Sequence, residues 1–225
     1  MHSRLPAFVA ACAGMLLFGV SLITLGSMAT DLQAKFDLDA ISKGTLFSIL
    51  PFGILLGSVI FGPVCDRFGY KGLLVAALVG MFAGFQGIAH AGSLVLLQIS
   101  VFVFGTGAGI VNGATNAVVA DISDEHRGAN LSLLGVFFGL GALGMPLVLG
   151  AVTGRFSSFQ TLAAVGWLTL VVAVGYLFVE FPPAKDREGI ELGDDWQRLL
   201  SLLLLLIAFF LFCQSSLEAI INNWT

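Results

Sequence analysis

Seven predominantly apolar runs, each close to the ~20 residues that cross a bilayer as a helix, constrain this chain more than any other feature. They lie at about 7–29, 43–65, 71–91, 93–120, 131–154, 158–181 and 198–225. In hydrocarbon every backbone N–H and C=O must find its partner within the segment, which selects α-helix for runs of this length. The chain is 57% hydrophobic and 11% charged, against roughly 25% charge in a soluble domain. The expectation is an all-α, polytopic membrane helix bundle with the lipid bilayer as its surroundings. The first run follows His2 and Arg4 as a secretion signal would. Its apolar core is about 25 residues against roughly 7–15 in a signal, so it reads as a retained helix.

Several classes of chemistry find no support. Cys12, Cys65 and Cys213 are odd in number, scattered, and inside or beside apolar runs, as small packing residues are. No zincin, nucleophile-elbow or phosphate-loop pattern appears, and His2, His90 and His126 stand alone. The chain is not expected to be an enzyme or to hold a cofactor or metal. Its net charge of −4 resides mostly in connecting loops and implies no nucleic-acid partner.

The ten Lys and Arg residues set an orientation. With the N-terminus in the cytoplasm, Arg4, Arg67, Lys71, Arg127, Lys185, Arg187 and Arg198 fall inside, and Lys35, Lys43 and Arg155 outside. That excess satisfies the positive-inside rule, and the reverse topology breaks it.

Between the second and third runs lies Gly62-Pro-Val-Cys-Asp66-Arg67-Phe-Gly69-Tyr-Lys71. Arg67 and Lys71 place it at a membrane surface, Gly69 allows a tight reversal, and Asp66 is expected to close the helix before it. The segment is echoed 88 residues later by Gly150-Ala-Val-Thr-Gly-Arg155-Phe156. Likewise Ala29-Thr-Asp31-Leu is echoed 90 residues later by Val119-Ala-Asp121-Ile. The period covers three helices, an odd number, so the two copies must be inverted with respect to each other.

Polar residues that share a face inside apolar runs are the candidate site. In the fourth run, at 100° per residue, Gln98, Gly105, Gly109, Asn112 and Asn116 fall within about 60° of one another. The glycines permit close helix approach. The carboxamides of Gln98, Asn112 and Asn116 offer donors and acceptors together, which suits a neutral, hydroxyl-rich solute; the same groups can instead join neighbouring helices. In the seventh run Gln214, Glu218 and Asn222 follow at i, i+4 and i+8. Glu218 is the only acid in the interior of an apolar run, so desolvation makes it a candidate proton carrier; a helix-end acid reaching the surface is the competing reading.

The hinge, Gly-x-x-x-Asp-Arg-x-Gly-aromatic-Lys between the second and third runs, resembles the signature loop of the major facilitator superfamily. Gly105-x-Gly-x-Gly-x-x-Asn112-x-x-x-Asn116, the segment from Arg127 through Ala142, and Glu218-x-x-x-x-x-Trp224 resemble its fucose/glucose (sugar) permease branch. The resemblance implies two inverted three-helix repeats forming an N-terminal half (1–181), a cytoplasmic central linker (182–197) and a seventh helix (198–225) opening a second half. The expectation is a truncated record of a bacterial inner-membrane transporter, lacking its C-terminal half as a partner. It would carry a small, sugar-like solute by alternating access, proton-coupled through Glu218. Gly62, Asp66, Arg67, Gly69 and Lys71 would form the cytoplasmic gate, with Asp121 and Arg127 as ion-pair partners. This branch can carry a membrane acid in helix one or four, and neither is present here. The small-faced fifth run, with Gly135, Gly139, Gly141, Gly144, Pro146 and Gly150, is expected to bend. It partly resembles an antiporter motif, so a drug or metabolite exporter is the alternative, beside a non-transporting half-length scaffold.

Overall fold

A computed structural model describes residues 4–123, 125–152 and 154–183, together with Leu206, Phe209, Phe210 and Cys213. The chain divides into two compact units, Met1–Lys185 and Asp186–Thr225. The second is described at only four residues, and most of the seventh run lies outside the described residues.

The first unit is built of α1 (Arg4–Ser27), α2 (Ala29–Phe36), α3 (Ala40–Phe68), α4 (Tyr70–His90), α5 (Leu94–Ile122), α6 (Arg127–Val152) and α7 (Ser158–Leu177). All but α2 are long and apolar enough to cross a membrane. The helix starts are written in the sequence as caps. The Asp39 carboxylate accepts from the Ser42 N–H at 2.8 Å, and Ser93 from the Leu96 N–H at 3.3 Å. Ser157 and Gln160 exchange both bonds of a capping box ahead of α7.

Helix α2 was not foreseen, and the first apolar run ends earlier than expected. Its eight residues bury Leu32 and leave Asp31 and Lys35 exposed, and Asp37 in the left-handed region (φ 48) terminates it. Six such residues plus two charges are too short and too polar to read as a span.

The inverted repeat appears in the helix starts. Helices α5, α6 and α7 begin at Leu94, Arg127 and Ser158, which is 90, 87 and 88 residues after Arg4, Ala40 and Tyr70 begin α1, α3 and α4. It appears again in packing. Lipid is as apolar as a leucine side chain, so membrane helices associate through close van der Waals fit. Helix α1 crosses α6 at Gly19 and Gly141, where a methyl group would collide with the carbonyl oxygens of Phe138 and Leu16. Helix α3 crosses α5 at Gly57 and Gly109, with Thr106 and Ile54 carbonyls in the same roles. Gly19 and Gly109 are 90 residues apart, the offset between α1 and α5 themselves.

Elsewhere α5 packs on α4 and α1, and α4 packs on α7, where the Gln86 Nε2 donates to the Ala163 carbonyl at 2.9 Å. Sequence-adjacent spans barely touch, α4 and α5 excepted. Buried hydroxyls cost little because Ser21, Thr24, Thr115 and Thr169 donate to carbonyls one turn back, at 2.6, 2.7, 2.8 and 3.1 Å. Helices α3 and α6 are the least covered, with the same 22% of their most apolar stretch buried in each. Both carry interior prolines, Pro51 and Pro63 in α3 and Pro146 in α6, and both remain helical through them.

Candidate functional site

Two places in the first unit gather the candidate residues. The first is the α3–α4 hinge. Helix α3 runs two residues beyond Asp66, and Gly69, at φ 76, makes the reversal that lets α4 start at Tyr70. An L-residue with a β-carbon is strained at that φ, so the glycine is used for its backbone. Gly62 has open space at its Cα. Asp66 is half-buried, Arg67 and Lys71 are exposed, and the Arg67 guanidinium lies 5.4 Å from the Phe68 ring centre.

Asp121, in the last turn of α5, meets this hinge through a residue that sequence reasoning passed over. The Tyr70 hydroxyl donates to its Oδ2 at 2.7 Å. Tyr70 is itself buried. Its place, one residue after the turn glycine and opposite a carboxylate at a helix end, was the available signal. Arg127, the other residue expected to pair with the hinge, begins α6 with its side chain exposed.

The second place is the amide face of α5. Gly105 and Gly109 lie against the α3 backbone at the Leu50 and Ile54 carbonyls, so this part of the face is spent on helix packing. One and two turns further on, Asn112 and Asn116 are half-buried. The Asn116 amide donates to the Asn112 carbonyl at 2.9 Å and to its Oδ1 at 3.2 Å. By helical rotation they sit between two neighbours. Val111 and Thr115 face Gly14 of α1, while Gly109 and Gly113 face Ile54 and Phe61 of α3. Helices α1 and α3 make almost no contact with each other, so the asparagines line the seam between them.

Gln98 is not brought to this seam. It lies fourteen residues before Asn112, roughly 21 Å along the helix axis. Gln214, Glu218 and Asn222 lie outside the described residues. Among the described residues no group of His, Cys, Asp and Glu is arranged to hold a metal.

The profile of the Major Facilitator Superfamily matches residues 7–224. The chain belongs to this superfamily. Its members are transporters, not enzymes. Among curated relatives, a 4-hydroxybenzoate transporter of Pseudomonas putida is 32% identical over 163 residues, covering 72% of this chain and 34% of that protein. A D-xylose transporter of Levilactobacillus brevis is 29% identical, covering 68% of this chain and 32% of that protein. The class B tetracycline resistance protein of Escherichia coli is 27% identical, covering 71% and 46%. The chain thus spans about a third to a half of the length of these relatives. A partially occluded, inward-open structure of the E. coli xylose transporter XylE shares the fold at a TM-score of 0.70 and 19% identity. It covers 80% of this chain and 50% of that one.

Proposed function

We propose that this chain forms part of a secondary transporter that moves a small, neutral, hydroxyl-rich solute of the sugar type by alternating access. The observation that carries the reading is the Asn112–Asn116 pair, two carboxamides half-buried on a seam of α5 that its neighbours leave open. A carboxamide both donates and accepts, so it matches a hydroxyl without importing a charge. A carboxylate solute would call for a cation at the seam, and the residues of α5 there are neutral. Gln98, far along α5 from this pair, is set aside as a ligand, and Gln214 and Asn222 of the seventh run are proposed as further substrate-binding amides. Glu218 is the proton carrier, and Gly62, Asp66, Arg67, Gly69, Lys71, Asp121 and Arg127 form the gate on the cytoplasmic side of a bacterial inner membrane. The second half of such a transporter is the partner that completes the site.

The test is uptake of a panel of labelled neutral sugars and aromatic acids into vesicles, using the complete coding sequence that contains this chain. Uptake of a sugar, lost in Asn112→Leu and kept in Asn112→Gln, is the expected result. Uptake of an aromatic acid alone overturns the solute class. A second reading, an exporter of drugs or metabolites, draws on the tetracycline-resistance relative and on the open glycines Gly135, Gly139 and Gly144 of α6. Net efflux against a gradient would select it.

A further inference from the structure

Hydroxyls inside the spans follow one habit, and Ser58 departs from it. Thr45 and Ser48 of the same helix donate to the Ile41 and Gly44 carbonyls, one turn back, at 2.9 and 2.8 Å, and Thr106 of α5 donates to Phe102 at 2.9 Å. Ser58 instead donates across to α5, to the Gly109 carbonyl at 3.4 Å. That is longer than the roughly 2.5–3.0 Å usual for an O–H···O bond, so the contact is weak. The residue remains exposed in mid-span.

The way α3 and α5 cross fixes where Ser58 stands. Gly53 and Gly57 form one edge of the α3 contact face, against the Phe102 and Thr106 carbonyls; Leu50 and Ile54 form the other, against Gly105 and Gly109. At about 100° per residue, Ser58 lies about 40° beyond Ile54, away from the Gly57 edge. On α5, Asn112 lies about 60° from Gly109, on the side away from Thr106. Both residues therefore leave the packed interface at the same edge, into the seam between α1 and α3. They also stand at the same depth. A helix carbonyl is flanked by the side chains three and four residues further on, which for Gly109 are Asn112 and Gly113, and the Phe61 ring fills the space at Gly113. Ser58 and Asn112 adjoin one carbonyl oxygen.

Their free capacities are complementary. Asn112 gives its backbone carbonyl and its Oδ1 to the Asn116 amide, and its own Nδ2 donates to no group among the described residues. The Ser58 hydrogen is committed to Gly109, and its oxygen accepts from none of the described residues. One residue thus offers a donor and the other an acceptor. We infer that Ser58 is a further solute contact, and that with Asn112 it reads two adjacent hydroxyls: the Asn112 Nδ2 donates to one, and the Ser58 Oγ accepts from the other. A vicinal pair satisfies both partners at once, whereas a solute lacking either hydroxyl leaves a desolvated polar group unpaired. This inference deepens the sugar-type reading and rests on it.

The test combines variants of the complete protein with monodeoxy analogues of a sugar that it carries. Displacement of the labelled parent sugar in membrane vesicles gives the affinity of each analogue. In the wild type, analogues lacking either of two neighbouring hydroxyls should bind roughly fivefold more weakly than the parent, the order of one net hydrogen bond. Ser58→Ala should weaken the parent by the same factor and cease to distinguish it from the analogue lacking one of those hydroxyls. Asn112→Leu should lose discrimination at the neighbouring position. A packing role cannot produce this pattern, because it weakens parent and analogues alike. Equal weakening of all of them in Ser58→Ala overturns the contact. Loss of discrimination at positions that are not adjacent in the two variants overturns the vicinal pair. Uptake of aromatic acids and no sugar overturns the solute reading and this inference with it, while sugar uptake with wild-type ratios in Ser58→Ala sinks this inference alone.

Discussion

Helices α1 and α5 are copies of one another in the repeat, and they differ where it matters. Their buried faces match: Thr24 and Leu25 in α1 stand where Ala114 and Thr115 stand in α5, and all four are buried. Their half-buried positions do not. Leu22 and Gly26 in α1 occupy the places of Asn112 and Asn116, with the same intermediate exposure. The scaffold follows the repeat, and the polar chemistry sits in the departure from it. A face packed against a helix backbone at Gly19 or Gly109 admits no added atom. A face on an open seam accepts either an apolar or a polar side chain at small cost to the fold.

The sharpest way to break this comparison is to load the two crossings. Gly109→Leu and Gly141→Leu each drive a side chain into a backbone carbonyl. Each should destabilise the folded protein by about 3 kcal/mol. Gly139→Leu, with open space around it, should change stability little. Denaturation in detergent micelles reads all three, and tolerance at only one crossing would mean that the repeat does not govern packing.

Exchanging the seam residues sharpens it further. Asn112→Leu, which gives α5 the side chain of its counterpart Leu22, should leave the unfolding midpoint nearly unchanged. Solute affinity should fall roughly tenfold, the equivalent of one hydrogen bond. Equal losses of stability and binding would make Asn112 a packing residue. At the hinge, Tyr70→Phe removes the bond to Asp121 and should lower stability by about 1 kcal/mol; an unaltered midpoint would show that the contact carries no weight in the folded state.

The smallest effect concerns helix starts. The Ser42 hydroxyl, and then its N–H, hold the Asp39 carboxyl below its ordinary range. A carboxyl with a depressed folded-state pKa adds stability above its unfolded pKa, near 3.9, and loses it as pH falls through the folded value. The α3 start should therefore loosen in acid, while the Ser93 and Ser157 caps of α5 and α7 do not titrate. Protection of the Ser42 amide, its exchange rate taken relative to the intrinsic rate at each pH, should fall from neutral to strongly acidic pH, and in Asp39→Ser it should not.

The spans and the inverted repeat were legible because run length and glycine spacing are local, one-dimensional signals. The Asn112 and Asn116 face was legible for the same reason, since rotation about one helix places it. Gln98 shows the limit: a helical wheel reports direction and discards distance along the axis, so a residue far from the seam looked like a member of it. Tyr70 and Ser58 were missed because their partners, Asp121 and Gly109, are each 51 residues away. No local pattern distinguishes such a residue from an ordinary interfacial one. Helix α2 escaped because eight half-polar residues carry too weak a periodicity beside a 24-residue span.

The interleaving of the helices bears on how the chain can be made. Gly19 leaves the ribosome about 120 residues before Gly141, the residue it packs against, and synthesis at roughly 5–20 residues per second puts ~6–24 s between them. During that interval α1 stands in the bilayer with lipid in the groove that α6 will fill, and α3 waits likewise for α5. Successive hairpins cannot assemble this bundle one pair at a time. Each early helix must be stable alone in lipid, and a synthesis stalled before α5 would leave α1 a single, unpartnered anchor.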